Sequence, residues 1–234
     1  MAGLTREVTP GVTQGRGRRE VGLGAALLVC GLLSGVLAGP AVNALGGTPA
    51  DKLFWTGSRI TAFLAYLAVT GSVCYGLAMT SGILDVLVGK VVSFELHQDL
   101  SFAGLTLGIA HAILLLGDAK SGYDSLGLLF VPGSSAYRQI PIAAGQLAAW
   151  FILLVIVGFY LRGLMGVRLW RVTHMFSTLA FVLVTGHGLF SGTDSSNDLI
   201  WWAYVALGLL VVFLFAYRVF NRGARAGRPQ RPGV

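Results

Sequence analysis

Six stretches of this chain, at roughly 21–45, 56–80, 97–117, 142–161, 170–191 and 199–220, are almost continuously apolar. Each is about as long as a helix must be to cross about 30 Å of hydrocarbon. No water reaches backbone N–H and C=O groups there, so only helices and closed barrels span a bilayer. The helix is the simpler solution. The expected fold is therefore an all-α integral membrane protein, a bundle of six transmembrane helices over residues 21–221. Charged residues make up only 12% of the chain, against about a quarter in soluble domains, which points the same way.

The first stretch has a second reading. Arg18 and Arg19, the apolar run and "AVNA" before Leu45 resemble a cleavable leader. The run is longer than a usual leader core, so it is taken as the first span. Residues 1–20 and 222–234 are polar and basic, and both are expected to be disordered cytoplasmic tails.

Lys and Arg set the orientation. With the N-terminus inside, Arg6, Arg16, Arg18, Arg19, Lys90, Arg162, Arg168, Arg171, Arg218, Arg222, Arg225, Arg228 and Arg231 all fall on the inner side. Only Lys52, Arg59, Lys120 and Arg138 fall outside. This is the positive-inside pattern of a cell-membrane protein with both termini cytoplasmic. The net charge of +7 is thus read as topology, and no nucleic-acid partner is implied. Cys30 and Cys74 are too few for a disulfide framework or a zinc site. The longest connection, Asp118 to Pro141, contains "GLLFVPGSSAYRQIP", apolar and then turn-rich, suited to lying on the membrane surface or partly re-entering it.

The chain has 4 histidines, and all lie in or beside apolar spans. His97 and His111 are on the third span; His174 and His187 are on the fifth. Their separations correspond to roughly 21 and 20 Å along a helix axis. The two spans run in the same direction, so His97 comes level with His174 near the inner face and His111 with His187 near the outer face. Two imidazole pairs at two depths suit two iron porphyrins, each iron held at both axial positions: His97 with His174, and His111 with His187. Iron closed in this way suits electron transfer. Membrane histidines also serve as interhelical hydrogen-bond partners or proton relays, and a haem-free proton or solute carrier is the reading that follows from those roles. A metal-transport site would need ligands converging at one depth.

Gly104 and Gly108 lie on nearly the same face as His97 and His111. Glycine there leaves room for a flat macrocycle against the backbone; a G-x-x-x-G helix contact is the other reading. Gly186 and Gly188 flank His187. Thirteen residues are about 3.6 turns, so His174 and His187 do not share a face of an ideal helix. Either the fifth span is distorted or the two groups approach it from different sides.

The "LHQDLSFAGLTLGIAHAILLL" and "WRVTHMFSTLAFVLVTGHGLFSGTD" spans, with "VPGSSAYRQIPIAAGQLAAW" before the fourth span, resemble the ferric reductase-like transmembrane domain shared by ferric reductases and NADPH oxidases. The resemblance covers roughly 55–220. It implies electron transfer from a cytoplasmic or membrane donor to an acceptor on the outer face. It makes Arg59 a candidate beside the outer haem, pairing with a propionate or attracting an acceptor; headgroup contact is the alternative. Trp170, Trp201 and Trp202 are expected in interface belts. Glu95 and Asp99 flank His97, where they either orient its ring or face water.

The sequence departs from the family's self-sufficient members. A short basic tail follows the sixth span, and no G-x-G-x-x-G fingerprint for a dinucleotide occurs between a strand and a helix. The expected donor is therefore a separate flavoprotein, membrane quinol, or a flavin supplied by or shared with a partner. The acceptor is ferric iron, a small molecule or a periplasmic protein. Such a chain is expected to be the membrane subunit of an oxidoreductase, similar to the stand-alone haem subunit of bacterial methionine-sulfoxide repair, and the two haems the resemblance implies are of the b type. A haem-containing anchor or assembly subunit of a periplasmic reductase is the second possibility.

Overall fold

A computed structural model describes residues 50–81, 90–117, 123, 125–135, 137–192 and 194–226. The expected first span at 21–45, its leader alternative and the tail at 1–20 lie outside these residues. Every regular element among them is helical: α1 (Ala50–Ser81), α2 (Lys90–Leu114), the short α3 (Leu126–Leu129), α4 (Gln139–Tyr160), α5 (Arg162–Ser191) and α6 (Asp198–Ala226). Five helices are long and apolar enough to cross a membrane, at Leu53–Ser81, Ser93–Gly117, Gln139–Tyr160, Arg162–Ser191 and Asp198–Phe220. They coincide with the second to sixth apolar runs. α6 continues to Ala226, five residues into the stretch expected as disordered tail.

Four helices close a ring. α1 packs along α2, α2 touches α4, α4 packs along α5, and α5 returns to α1; α6 lies against α1. α2 and α5 therefore occupy opposite corners and do not pack along each other. Lipid tails are as apolar as leucine, so close van der Waals contact between helices, rather than the hydrophobic effect, must hold such a bundle. α1 carries most of it. Its Tyr66 stacks on Phe181 of α5 with ring centres 6.2 Å apart and meets Tyr204 of α6 at 4.4 Å. Val69, Leu77 and Val211 complete this core. Aromatic pairs of this kind each contribute about 0.5–1.5 kcal/mol beyond their packing area.

α4 and α5 are joined almost without a loop. The chain turns at Leu161, forms one short helical turn, and bends at Gly166, whose φ of 78° and ψ of 158° lie in territory that only glycine enters readily. At the other end, the connection before α4 folds down alongside that helix. Gln146 of α4, which is buried, accepts from Gly133 N at 3.0 Å and donates to Leu128 O and Leu129 O at 3.1 and 3.0 Å. Trp150 Nε1 donates to Phe130 O at 2.8 Å. One amide side chain thus satisfies the turn's backbone while Leu128, Phe130 and Val131 stay exposed.

Candidate functional site: two histidine pairs across the bundle

The two helices at opposite corners of the ring carry the four histidines. His97 of α2 faces His174 of α5 with ring centres 6.1 Å apart and planes at 66°. His111 faces His187 at 6.1 Å and 68°. The two pairs have nearly the same geometry at two depths of one bundle.

α1 holds both α2 imidazoles in the same way. His111 Nδ1 donates to Ser58 O at 2.9 Å, and Ser58 Oγ donates back to His111 O at 3.4 Å. One site along, His97 Nδ1 donates to Ser72 O at 2.8 Å, and Ser72 Oγ donates to His97 O at 3.3 Å. The repeat follows from antiparallel packing, since Ser58 and Ser72 are as far apart in sequence as His97 and His111. A carbonyl acceptor fixes the proton on Nδ1 and leaves the Nε2 lone pair free, directed away from α1. Metal-bound histidines are oriented in this way. Ser101 Oγ donates to His97 O at 2.7 Å and extends the network.

His187 is set from α4. Its Nδ1 donates to Pro141 O at 3.0 Å. The ring lies so close to Gly145 that a Cβ there would stand 2.5 Å from Nδ1. α5 keeps helical backbone through both histidines, its one non-helical residue being Gly166. The spacing that separates His174 and His187 around the helix is thus accommodated by swinging His187 towards α4, without distortion. His174 is flanked by Trp170, with ring centres 5.5 Å apart at 33°.

Two imidazoles alone are an incomplete ligand set for a bare ion. Among the described residues no group of three or more His, Cys, Asp or Glu converges on one point. A metal that brings its own in-plane ligands needs only two axial donors. Imidazoles on opposite sides of one iron place their nitrogens about 4 Å apart, at about 2 Å per bond, and their ring centres about 6 Å apart. Both pairs have that separation. The space around them is also open: a Cβ on Gly108 of α2 or on Gly186 of α5 would meet nothing within 4 Å. The residues present fit a flat, metal-centred macrocycle at each pair.

The remaining expected site residues divide. Gly104 faces α1, where a Cβ would come within 2.7 Å of Val69 Cγ2; this is the helix-contact reading, not a macrocycle face. Arg59 follows Ser58 and so sits at the level of His111. Its guanidinium is paired with Asp194, just before α6, and lies 5.9 Å from the Trp55 ring. Asp99 is exposed, and Ser72 supplies the hydrogen bond that orients His97. Trp201 and Trp202 are exposed at the start of α6. Ser58, Ser72, Pro141 and Gly145 were not among the residues expected from the sequence.

Two buried polar side-chain atoms lack any hydrogen-bond partner among the described residues, Ser93 Oγ and Trp170 Nε1. Leaving a buried donor unsatisfied costs about 1–3 kcal/mol. They stand four residues before His97 and His174 respectively.

No family model, curated protein or solved structure matches the chain.

Proposed function

We propose that the protein is a di-haem b membrane subunit that carries electrons across a bilayer, as the resemblance to ferric reductase-like domains implies. The observation that carries this reading is the doubled imidazole separation of 6.1 Å across the bundle. His97 and His174 would hold the inner group, and His111 and His187 the outer one. When bound, each group supplies reversible one-electron chemistry at iron. The chain's contribution is positional. Ser58, Ser72 and Pro141 carbonyls fix the tautomer and aim of three imidazoles, and enclosure among the helices would limit the access of water to a bound group. With a pair of histidines committed to each group, the site would favour electron passage over ligand binding. By the Lys and Arg distribution His97 lies towards the cytoplasm, where the resemblance implies that the donor, a flavoprotein or quinol, would act. The acceptor, ferric iron, a small molecule or a periplasmic protein, would be met on the opposite side, near Arg59.

A reduced-minus-oxidised absorbance spectrum of the purified full chain tests this. Low-spin b-type bands with two haems per chain are expected, and proteoliposomes should pass electrons to an outside acceptor. A colourless protein after expression with ample haem would favour the histidine-relay carrier instead. Bands without transfer would favour the anchor or assembly subunit.

A further inference from the structure

The two orphaned donors share one relationship to the first histidine pair. Ser93 lies one helical turn before His97 on α2, and Trp170 one turn before His174 on α5. Both turns lead away from the second pair. Ser93 is 1% exposed and its Oγ has no partner, and the Trp170 indole N–H has none either. Two buried donors, on the two helices that present the paired imidazoles and at the same offset, are left without an acceptor.

The offset identifies that acceptor. Four residues rise about 6 Å along a helix, about the distance from the centre of a porphyrin to its rim, where its carboxylates project. Donors without acceptors of their own select an oxygen that only accepts, and a carboxylate is the strongest such partner.

We infer that Ser93 Oγ and Trp170 Nε1 form a carboxylate-binding site that receives the propionate edge of the inner porphyrin, so that this edge faces the Ser93–Trp170 end of the bundle. This rests on the di-haem reading above. The site would fix how the macrocycle is rotated between its two axial ligands, which the histidines alone leave free. The two donors would also offset carboxylate charge near the iron and so favour the reduced state.

The test is a spectroelectrochemical titration of the full chain in detergent, comparing wild type with Ser93→Ala and Trp170→Phe. A second arm loads wild type and variants with the dimethyl ester of the same haem. With natural haem, each variant should lower the midpoint of one couple and leave the other in place. With the ester, whose carboxylates are blocked, wild type and variants should coincide. If both variants keep wild-type midpoints while both b-type couples persist, the proposal is overturned and the di-haem reading stands. The same follows if the variants change only the rate of reduction by a water-soluble quinol, since the donors would then serve a separate carbonyl-bearing ring. A wild-type chain without low-spin bands overturns both.

Discussion

Ser72 and His97 are joined across the α1–α2 contact: the imidazole Nδ1 donates to the serine carbonyl at 2.8 Å, and the serine hydroxyl donates to the histidine carbonyl at 3.3 Å and lies 3.1 Å from Nδ1. The first bond uses backbone, so substitution cannot remove it. Ser72→Ala deletes the hydroxyl's contacts with the His97 carbonyl and with Ser101 Oγ, each hydrogen bond worth about 0.5–1.5 kcal/mol. We expect haem content to hold while the inner midpoint shifts and thermal stability falls slightly. Ser58→Ala should do the same for the outer couple. Complete haem loss from either variant would show that the hydroxyl, not the carbonyl, positions the ring.

Removing a ligand should have a different and selective effect. His97→Ala and His174→Ala should each abolish one b-type couple, and the same one. His111→Ala and His187→Ala should abolish the other. Quantitative haem extraction together with the redox titration reads this directly. Loss of both couples from every variant would contradict independent pairs.

The glycines around the site should behave unequally. Gly145→Ala places a methyl 2.5 Å from His187 Nδ1 and should disturb the outer couple alone. Gly104→Ala drives a methyl into Val69 and should cost about 1–3 kcal/mol as overpacking, visible as a lower unfolding temperature with or without haem. Gly108→Ala meets nothing within 4 Å. It should leave the haem-free fold unchanged and reduce haem loading, because the added methyl points into the open slot.

The Arg59–Asp194 pair is partly exposed, with side chains 42% and 30% accessible. An ion pair in such a setting contributes about 0–1 kcal/mol. Arg59→Ala should barely change the unfolding temperature, yet slow electron delivery to an anionic outside acceptor such as ferricyanide. A neutral acceptor should be unaffected. Equal slowing with both acceptors would assign Arg59 to structure.

Gln146→Ala should release the turn that precedes α4. The carbonyls of Leu128 and Leu129 and the N–H of Gly133 would lose a shared partner, at about 1–3 kcal/mol for buried groups. Protease added to the outside of sealed vesicles should then cut within 125–138, where the wild type resists.

The spans were legible because hydrocarbon thickness dictates their length, and five of the six apolar runs correspond to helices long enough to cross. The level pairing of His97 with His174 and of His111 with His187 followed from axial rise alone, which needs no knowledge of packing. Rotation about the axis was harder. From α5 in isolation, nothing tells whether thirteen residues bend the helix or turn one ring aside; the answer lies in Gly145 and Pro141 of another helix. Ser58 and Ser72 escaped for the same reason: a serine near a helix centre gains meaning only once the antiparallel register places it opposite a histidine. Their spacing, which copies that of His97 and His111, was a signal available in the sequence. Gly104 and Gly108 look equivalent as a G-x-x-x-G motif, and only packing separates the residue that touches α1 from the one that faces open space.

α2 and α5 stand at opposite corners of a four-helix ring. A square frame without a diagonal shears easily, and a single strut across it stiffens all four sides together. Anything clasped between the imidazoles would act as that strut, twice over and at two heights. The loaded protein should therefore resist heat and detergent far better than the empty one, and a cell short of the cargo would find the empty frame an easy target for its membrane proteases.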